Sequence, residues 1–172
     1  MSVDLTATLH GTCFRTPVLS ASGTWGYGLE VEDLVPPGQL GGVVTKGLSL
    51  APRHGNPPPR LCETAAGMLN SIGLENIGVE VFLRDKLPAL RRAGATVVVN
   101  FFGDSLEEYV ACAEALDGQE GITALELNIS CPNVAKGGMR YGTDPTMAGA
   151  LTAACRRATR LPLWAKLTPN VT

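Results

Sequence analysis

At 172 residues, with 45% hydrophobic side chains, the chain has the length of one ordinary domain and enough apolar material for a core. Its 14 basic and 16 acidic residues leave a net charge of −2, and no Lys/Arg block or basic stripe with interleaved aromatics occurs, which argues against a nucleic-acid partner. The start Met1-Ser-Val-Asp-Leu5 lacks the basic flank and apolar stretch of an export signal, and no run approaches the roughly 18 apolar residues of a membrane span, so a cytoplasmic address without membrane association is expected.

In chain order, Leu5 to Phe14 is predicted to form a small hairpin turning at His10-Gly11, placed where it could plug the bottom of a barrel. Pro17 to Ala21 reads as a first strand and Gly42 to Thr45 as a second. The stretch from Ala51 to Gly67 holds four prolines and is predicted to be a long irregular connection, lying over the site as a lid or wall. Val79, Leu83, Leu87 and Leu90 recur at helical spacing, and Thr96 to Asn100 forms a third strand. Leu106, Val110 and Ala113 mark a helix behind the capping box Ser105-x-x-Glu108, followed by a fourth strand at Ala124 to Asn128. Asp144-Pro145 opens a helix that turns Met147, Leu151, Ala154 and Ala158 inward, and Leu163 to Leu167 is a fifth strand. Most of these strands are near-continuously apolar, as strands covered on both faces are. The βαβα rhythm requires a parallel sheet with helical cover, either open and doubly wound or closed into a barrel. No linker or repeat divides the chain, which reads as one domain or part of one.

Ligands of parallel α/β folds lie at the carboxyl ends of the strands, so the residues just after each apolar run carry the functional information. Those residues are Ser20-Ala-Ser-Gly23, Thr45-Lys-Gly47, Asn100, Asn128 with the loop through Cys131, and Lys166. Cys131 follows a strand end, stands between Asn128 and Asn133, and precedes the glycine-rich stretch Lys136 to Gly142, predicted to fold over a ligand. A thiol there can accept a proton, and flanking carboxamides can hold a planar substrate rich in N–H and C=O groups. The five cysteines show no Cys-x-x-Cys or Cys/His spacing, so no disulfide frame and no metal site is expected. Cys13, Cys112 and Cys155 read as packed or structural thiols; Cys62 is open. No pattern brings His10 or His54 to the cysteine.

Lys46 and Lys166 each adjoin apolar sequence, where an ammonium needs an anion or carbonyl for company. A Schiff-base lysine of the aldolase kind is one reading. A fixed positive charge beside a reduced flavin or a substrate carboxylate is the other, favoured because two lysines stand among amides with no carboxylate base after strands three to five. Asn70, in a turn-rich stretch, could cap the helix beginning near Asn76.

Taken together, Ala21-Ser-Gly23, Thr45-Lys-Gly47, Arg53-His-Gly-Asn-Pro57, Met68-Leu-Asn-Ser-Ile-Gly-Leu-Glu-Asn76, Leu127-Asn-Ile-Ser-Cys-Pro-Asn133 and Lys166-Leu-Thr-Pro-Asn170 resemble the class 1 dihydroorotate dehydrogenases. The cysteine and the Gly-Gly-Met-x-Tyr-Gly-Thr-Asp-Pro stretch are most similar to the type B catalytic subunit. The resemblance implies an FMN-binding (β/α)8 TIM barrel that oxidises dihydroorotate to orotate in the synthesis of UMP and the other pyrimidines. It implies that Cys131 takes a proton from C5 while hydride leaves C6 for the flavin. Substrate would be held by Lys46, Asn70, Ser71, Ile72, Gly73, Leu74, Asn128 and Asn133. FMN would be held by Ala21, Ser22, Gly23, Thr45, Lys46, Asn100, Asn128 and Lys166, with Lys166 neutralising charge on the reduced ring. The implied partner is an iron–sulfur FAD subunit that passes electrons to NAD, in a homodimer or heterotetramer; direct use of fumarate belongs to relatives.

A complete barrel needs about 250 residues, so residues 1–172 are expected to be its amino-terminal part, without the last strands and the FMN-phosphate loops. Such a portion alone is expected to bind FMN poorly and to associate. Two other functions stay open from the residues: a lysine-dependent, aldolase-like lyase and a non-catalytic half-barrel.

Overall fold

The computed structural model describes residues 3–130 and 138–169, with the backbone alone for 138–140. Cys131 and Asn133 lie outside the described residues, as do Lys136 and Gly137.

The chain opens with the expected hairpin. Strands β1 (Ala7–Leu9) and β2 (Thr12–Phe14) pair antiparallel around His10 and Gly11, which take φ of 48° and 77°. Positive φ at both central residues is the signature of the tight turn whose twist matches that of the strands. Phe14 is buried against Trp164, ring centroids 6.0 Å apart, beneath the amino-terminal ends of the parallel strands.

The main sheet is parallel, with strands β3 (Val43–Val44), β6 (Val97–Phe101), β7 (Ile122–Asn128) and β8 (Leu163–Lys166) side by side in chain order. Chain-order adjacency decides between the two architectures left open by the sequence. A doubly wound sheet reverses direction part-way across, whereas this one advances by one strand per crossover, as a barrel does. The first predicted strand, Pro17 to Ala21, is reduced to a single parallel bridge, Leu19 to Gly42. Pro17 has no N–H, and the Ser20 hydroxyl accepts the Val44 N–H at 2.9 Å in place of a main-chain carbonyl.

The predicted irregular connection from Ala51 to Gly67 contains a second hairpin, β4 (Leu61–Thr64) with β5 (Gly67–Asn70). All eight of its strand residues are exposed, so no alternation of buried and open positions announces it. It is tied down at its base by Arg60 with Glu75 and by the Asn56 amide donating to Ser71.

One face of the sheet carries the helices. The segment after the hairpin runs as α1 (Gly78–Val81), a π-helical turn (Phe82–Lys86) and α2 (Leu87–Arg92). The wide turn directly precedes Pro88, whose missing N–H would otherwise leave a gap in the ladder. Helix α3 (Leu106–Leu116) is capped by Ser105, which accepts from the Glu108 N–H at 3.3 Å. Glu108 reaches back to the Asp104 N–H, one residue earlier than the usual capping box. Tyr109, Cys112, Ala113 and Leu116 form its buried stripe, and Val110 lies at the margin.

The glycine-rich stretch predicted to fold over a ligand is instead helical from α4 (Gly138–Thr143). A Cβ at Gly142 would stand 2.1 Å from the Ile129 carbonyl oxygen, so glycine serves close packing there and not loop freedom. Helix α5 (Pro145–Ala158) follows, with Asp144 accepting from Thr146 and Met147 N–H groups at 2.8 and 3.1 Å. Leu151, Ala154 and Cys155 are its buried residues. The outer sheet residues Val97, Val99, Phe101, Leu125, Leu127 and Ile129 pack against these helices as the main core. Among the described residues no helix is long and apolar enough to cross a membrane.

Candidate active site

Pleating sends alternate residues of each parallel strand to the inner face, away from the helices. Near the strand starts those positions are Val44, Val98, Ala124 and Trp164, which form a small apolar cluster closed by Leu19. Two residues further along they are Lys46, Asn100, Glu126 and Lys166. A register shift between Val97 and Val98 sets Asn100 beside Glu126, while the pairing of β7 with β8 sets Trp164 beside Glu126 and Lys166 beside Asn128.

A cavity of about 290 Å³ opens on this upper level, lined by Ser22, Lys46, Asn100, Asn128, Ser130 and Lys166 together with Gly23, Gly47, Leu74, Glu75 and Phe102. Ser22 reaches it through a tight turn. Thr24 N–H and hydroxyl both donate to the Ala21 carbonyl, at 3.2 and 2.8 Å, and Gly23 takes φ of 86°. The turn brings the Ser22 hydroxyl within 2.6 Å of Lys166 Nζ, joining the first segment of the chain to the last described strand.

Asn100 is fully buried at the centre. Its N–H donates to the Thr45 hydroxyl at 3.2 Å, which gives the buried Thr45 a supporting part behind the cavity wall. Its Nδ2 donates to Glu126 Oε1 at 2.7 Å, and its Oδ1 accepts from Asn128 Nδ2 at 3.3 Å. Asn128 Oδ1 in turn accepts from the Ser130 N–H and hydroxyl at 3.3 and 3.1 Å. The Asn128 carbonyl is held from outside by the Tyr109 hydroxyl at 2.8 Å, and Tyr141 of α4 packs edge-on to Tyr109. A Cβ on Gly47 would come 2.8 Å from Asn100 Oδ1, so the backbone there must be bare.

The return from the β4–β5 hairpin supplies the remaining wall. Leu74 has φ of 59°, a strained value for a branched side chain, and is held by Asn76 Nδ2 donating to its carbonyl at 2.9 Å. Asn76 is buried and also bonds Ser49 and the Gly78 N–H, the start of α1, so it takes the capping part considered for Asn70. Asn70 is exposed on β5, and neither it nor Ser71, Ile72 or Gly73 lines the cavity. Thus the hairpin itself does not cover the site; its return does, through Leu74 and Glu75.

A sequence model of the dihydroorotate dehydrogenase family matches residues 4–172. The chain belongs to this family. The catalytic subunit of dihydroorotate dehydrogenase B (NAD(+)) from Pelobacter propionicus is 54% identical over the whole chain, which spans 57% of that relative. Its counterpart from Solidesulfovibrio magneticus is 53% identical, again over the whole chain and 56% of the relative. A crystal structure of DHODH in complex with ferulenol from Eimeria tenella superposes with a TM-score of 0.75 at 20% identity, covering 98% of this chain and 53% of that one. At that identity it bears on fold alone. The fold is therefore a partial (β/α)8 barrel, and the chain spans little more than half the length of the relatives it matches.

Against the family pattern, the structure adds residues that strand ends did not reveal. Glu126 is inside strand β7, between Leu125 and Leu127, and so falls outside the expectation that no carboxylate base follows strands three to five. Glu75 and Phe102 line the cavity from a loop and from beyond β6. Strand alternation would have found Glu126; a carboxylate at an inward position of an otherwise apolar strand is the signal.

Proposed function

We propose that this member of the dihydroorotate dehydrogenase family contributes the substrate-facing half of an FMN enzyme that oxidises dihydroorotate to orotate in cytoplasmic pyrimidine synthesis. The observation that supports it is the meeting of Lys46, Asn100, Asn128 and Lys166 with Ser22 in one cavity at the carboxyl ends of the strands. Residues 1–172 are then the amino-terminal part of one barrel domain.

The cavity suits a flat heteroaromatic ring. Bare backbone at Gly23 and Gly47 admits close stacking, carboxamides can meet ring N–H and C=O edges, and Lys46 and Lys166 both line the cavity. Bound FMN would supply the hydride acceptor. Ser22, Gly23, Thr45, Asn100 and Lys166, with Ala21 through its turn, are assigned to holding it. Lys166 contributes a fixed charge in a site partly closed to water, where such a charge acts strongly. Asn128 and Lys46 bind and orient the substrate, joined by Asn133 and by Leu74, the residue of the 70–74 stretch that lines the cavity. Cys131, directly after Ser130, takes the C5 proton. An iron–sulfur FAD subunit leading to NAD is the assigned partner; the two relatives are themselves NAD(+) catalytic subunits.

The test uses the chain completed with the carboxyl-terminal part of the Pelobacter propionicus relative. Dihydroorotate should bleach its flavin absorbance anaerobically, and Cys131→Ala should slow this by about 10²-fold or more. Full-rate bleaching in Cys131→Ala, or none in the unsubstituted enzyme, refutes the assignment. The 172-residue chain alone should take up little FMN, because β8 has a partner on one side only among the described residues; a stoichiometric flavin band from it overturns that expectation.

A further inference from the structure

We propose that Glu126 is a positioning residue that fixes which way the carboxamides of Asn100 and Asn128 face. Its effect on turnover rests on the function proposed above; the orientation itself does not. A carboxamide has two settings of nearly equal shape, one the reverse of the other, and they exchange what the group offers a ligand. A carboxylate has nothing to donate, so the group facing it must present N–H.

Glu126 Oε1 lies 2.7 Å from the Asn100 amide and therefore compels its Nδ2 to face inward along β7. Asn100 Oδ1 is then turned to Asn128, which must answer with Nδ2, at 3.3 Å. Asn128 is left presenting Oδ1, where the N–H and hydroxyl of Ser130 arrive at 3.3 and 3.1 Å. Reversal at any link would set two acceptors or two donors face to face, so the Glu126 carboxylate at one end and the Ser130 N–H at the other fix the polarity of the row. Asn100 cannot swing clear, since it is fully buried and its N–H is bonded to Thr45. Among the described residues Glu126 makes no ion pair within 4.0 Å, which leaves Asn100 as its hydrogen-bond partner. After these bonds Asn100 still has an N–H and a lone pair to offer a ring edge, and Asn128 an N–H, both lone pairs of its Oδ1 being met by Ser130.

Glu126→Gln keeps the volume and an acceptor but adds a donor, so it frees Asn100 to reverse and break with Asn128, which the Ser130 N–H still holds; Glu126→Leu removes the partner outright. In the FMN-loaded completed enzyme, Glu126→Gln should raise the dihydroorotate KM about tenfold, with kcat changed less than about threefold and flavin content retained. The Asn100 and Asn128 side-chain amide resonances should shift or double. A role in packing alone predicts that Glu126→Gln matches the parent in KM and in both amide resonances, and that result overturns the proposal. If Glu126→Leu does not fold, Glu126→Gln carries the test. If the unsubstituted enzyme does not oxidise dihydroorotate, the functional reading fails, and the amide resonances alone decide the orientation.

Discussion

The inner face of the parallel sheet is two different materials separated by one pleat. Val44, Val98, Ala124 and Trp164 form a dry floor, whereas Lys46, Asn100, Glu126 and Lys166, each two residues further along the same strands, form a charged and hydrogen-bonded rim. The floor sits over Phe14 of the hairpin and gains its stability by exclusion of water. The rim tolerates ions because each polar group found there has a partner or an opening to the cavity, a condition that burial imposes. Stability and chemistry are thus divided along the strand axis, with the fold's rigid end beneath the reactive one.

Several substitutions break or sharpen this division. The largest effect should come from placing a charge in the floor. Val98→Lys buries an unpaired ammonium at a fully buried site and should cost more than about 4 kcal/mol, read as loss of the cooperative thermal transition. Its mirror image at the rim, Lys46→Met, should leave that transition within about 1 kcal/mol while weakening dihydroorotate binding by the completed enzyme. Equal damage to stability from both would erase the distinction.

Gly47→Ala tests how tightly the rim is built. With a Cβ 2.8 Å from Asn100 Oδ1, about 1–3 kcal/mol should be lost in urea unfolding, and the Asn100 amide resonances should move. Next is Tyr109→Phe, which removes the hydroxyl that meets the Asn128 carbonyl from the helical side. It should cost about 1–2 kcal/mol by the same measurement.

A pH-dependent effect concerns the helical cover. Burial pushes the Cys112 thiol up to about 12 and the Cys155 thiol up to about 11. A folded pKa above the unfolded value of about 8.5 means that the neutral thiols stabilise the fold fully below that pH. That contribution declines as pH rises toward 11–12, so the urea midpoint should fall between pH 8.5 and 10.5, and less so in Cys112→Ala. At pH 8, iodoacetamide should modify the exposed Cys13 and Cys62 and spare Cys112 and Cys155 until the chain unfolds.

Much of this was legible in the residue order. Strand positions three to five, the His10-Gly11 turn, the Ser105 and Asp144 caps and the meeting of Lys46, Asn100, Asn128 and Lys166 follow from apolar runs, cap chemistry and the rule for strand ends. These signals are local, and each is carried by a few neighbouring side chains. The β4–β5 hairpin escaped because both its faces are wet, and α4 because glycines that permit close packing look like glycines that permit a loop.

The sequence by itself determined that strands and helices alternate and that the polar residues gather at one end of the sheet, since periodicity and strand-end chemistry need no distant partner. Only the tertiary structure decided the barrel-like strand order, the support that Asn76 gives Leu74, and the row from Glu126 through Asn100 and Asn128 to Ser130. Each of those depends on which segment lies beside which. Residues 26 and 28 positions apart become hydrogen-bonded neighbours through strand pairing alone.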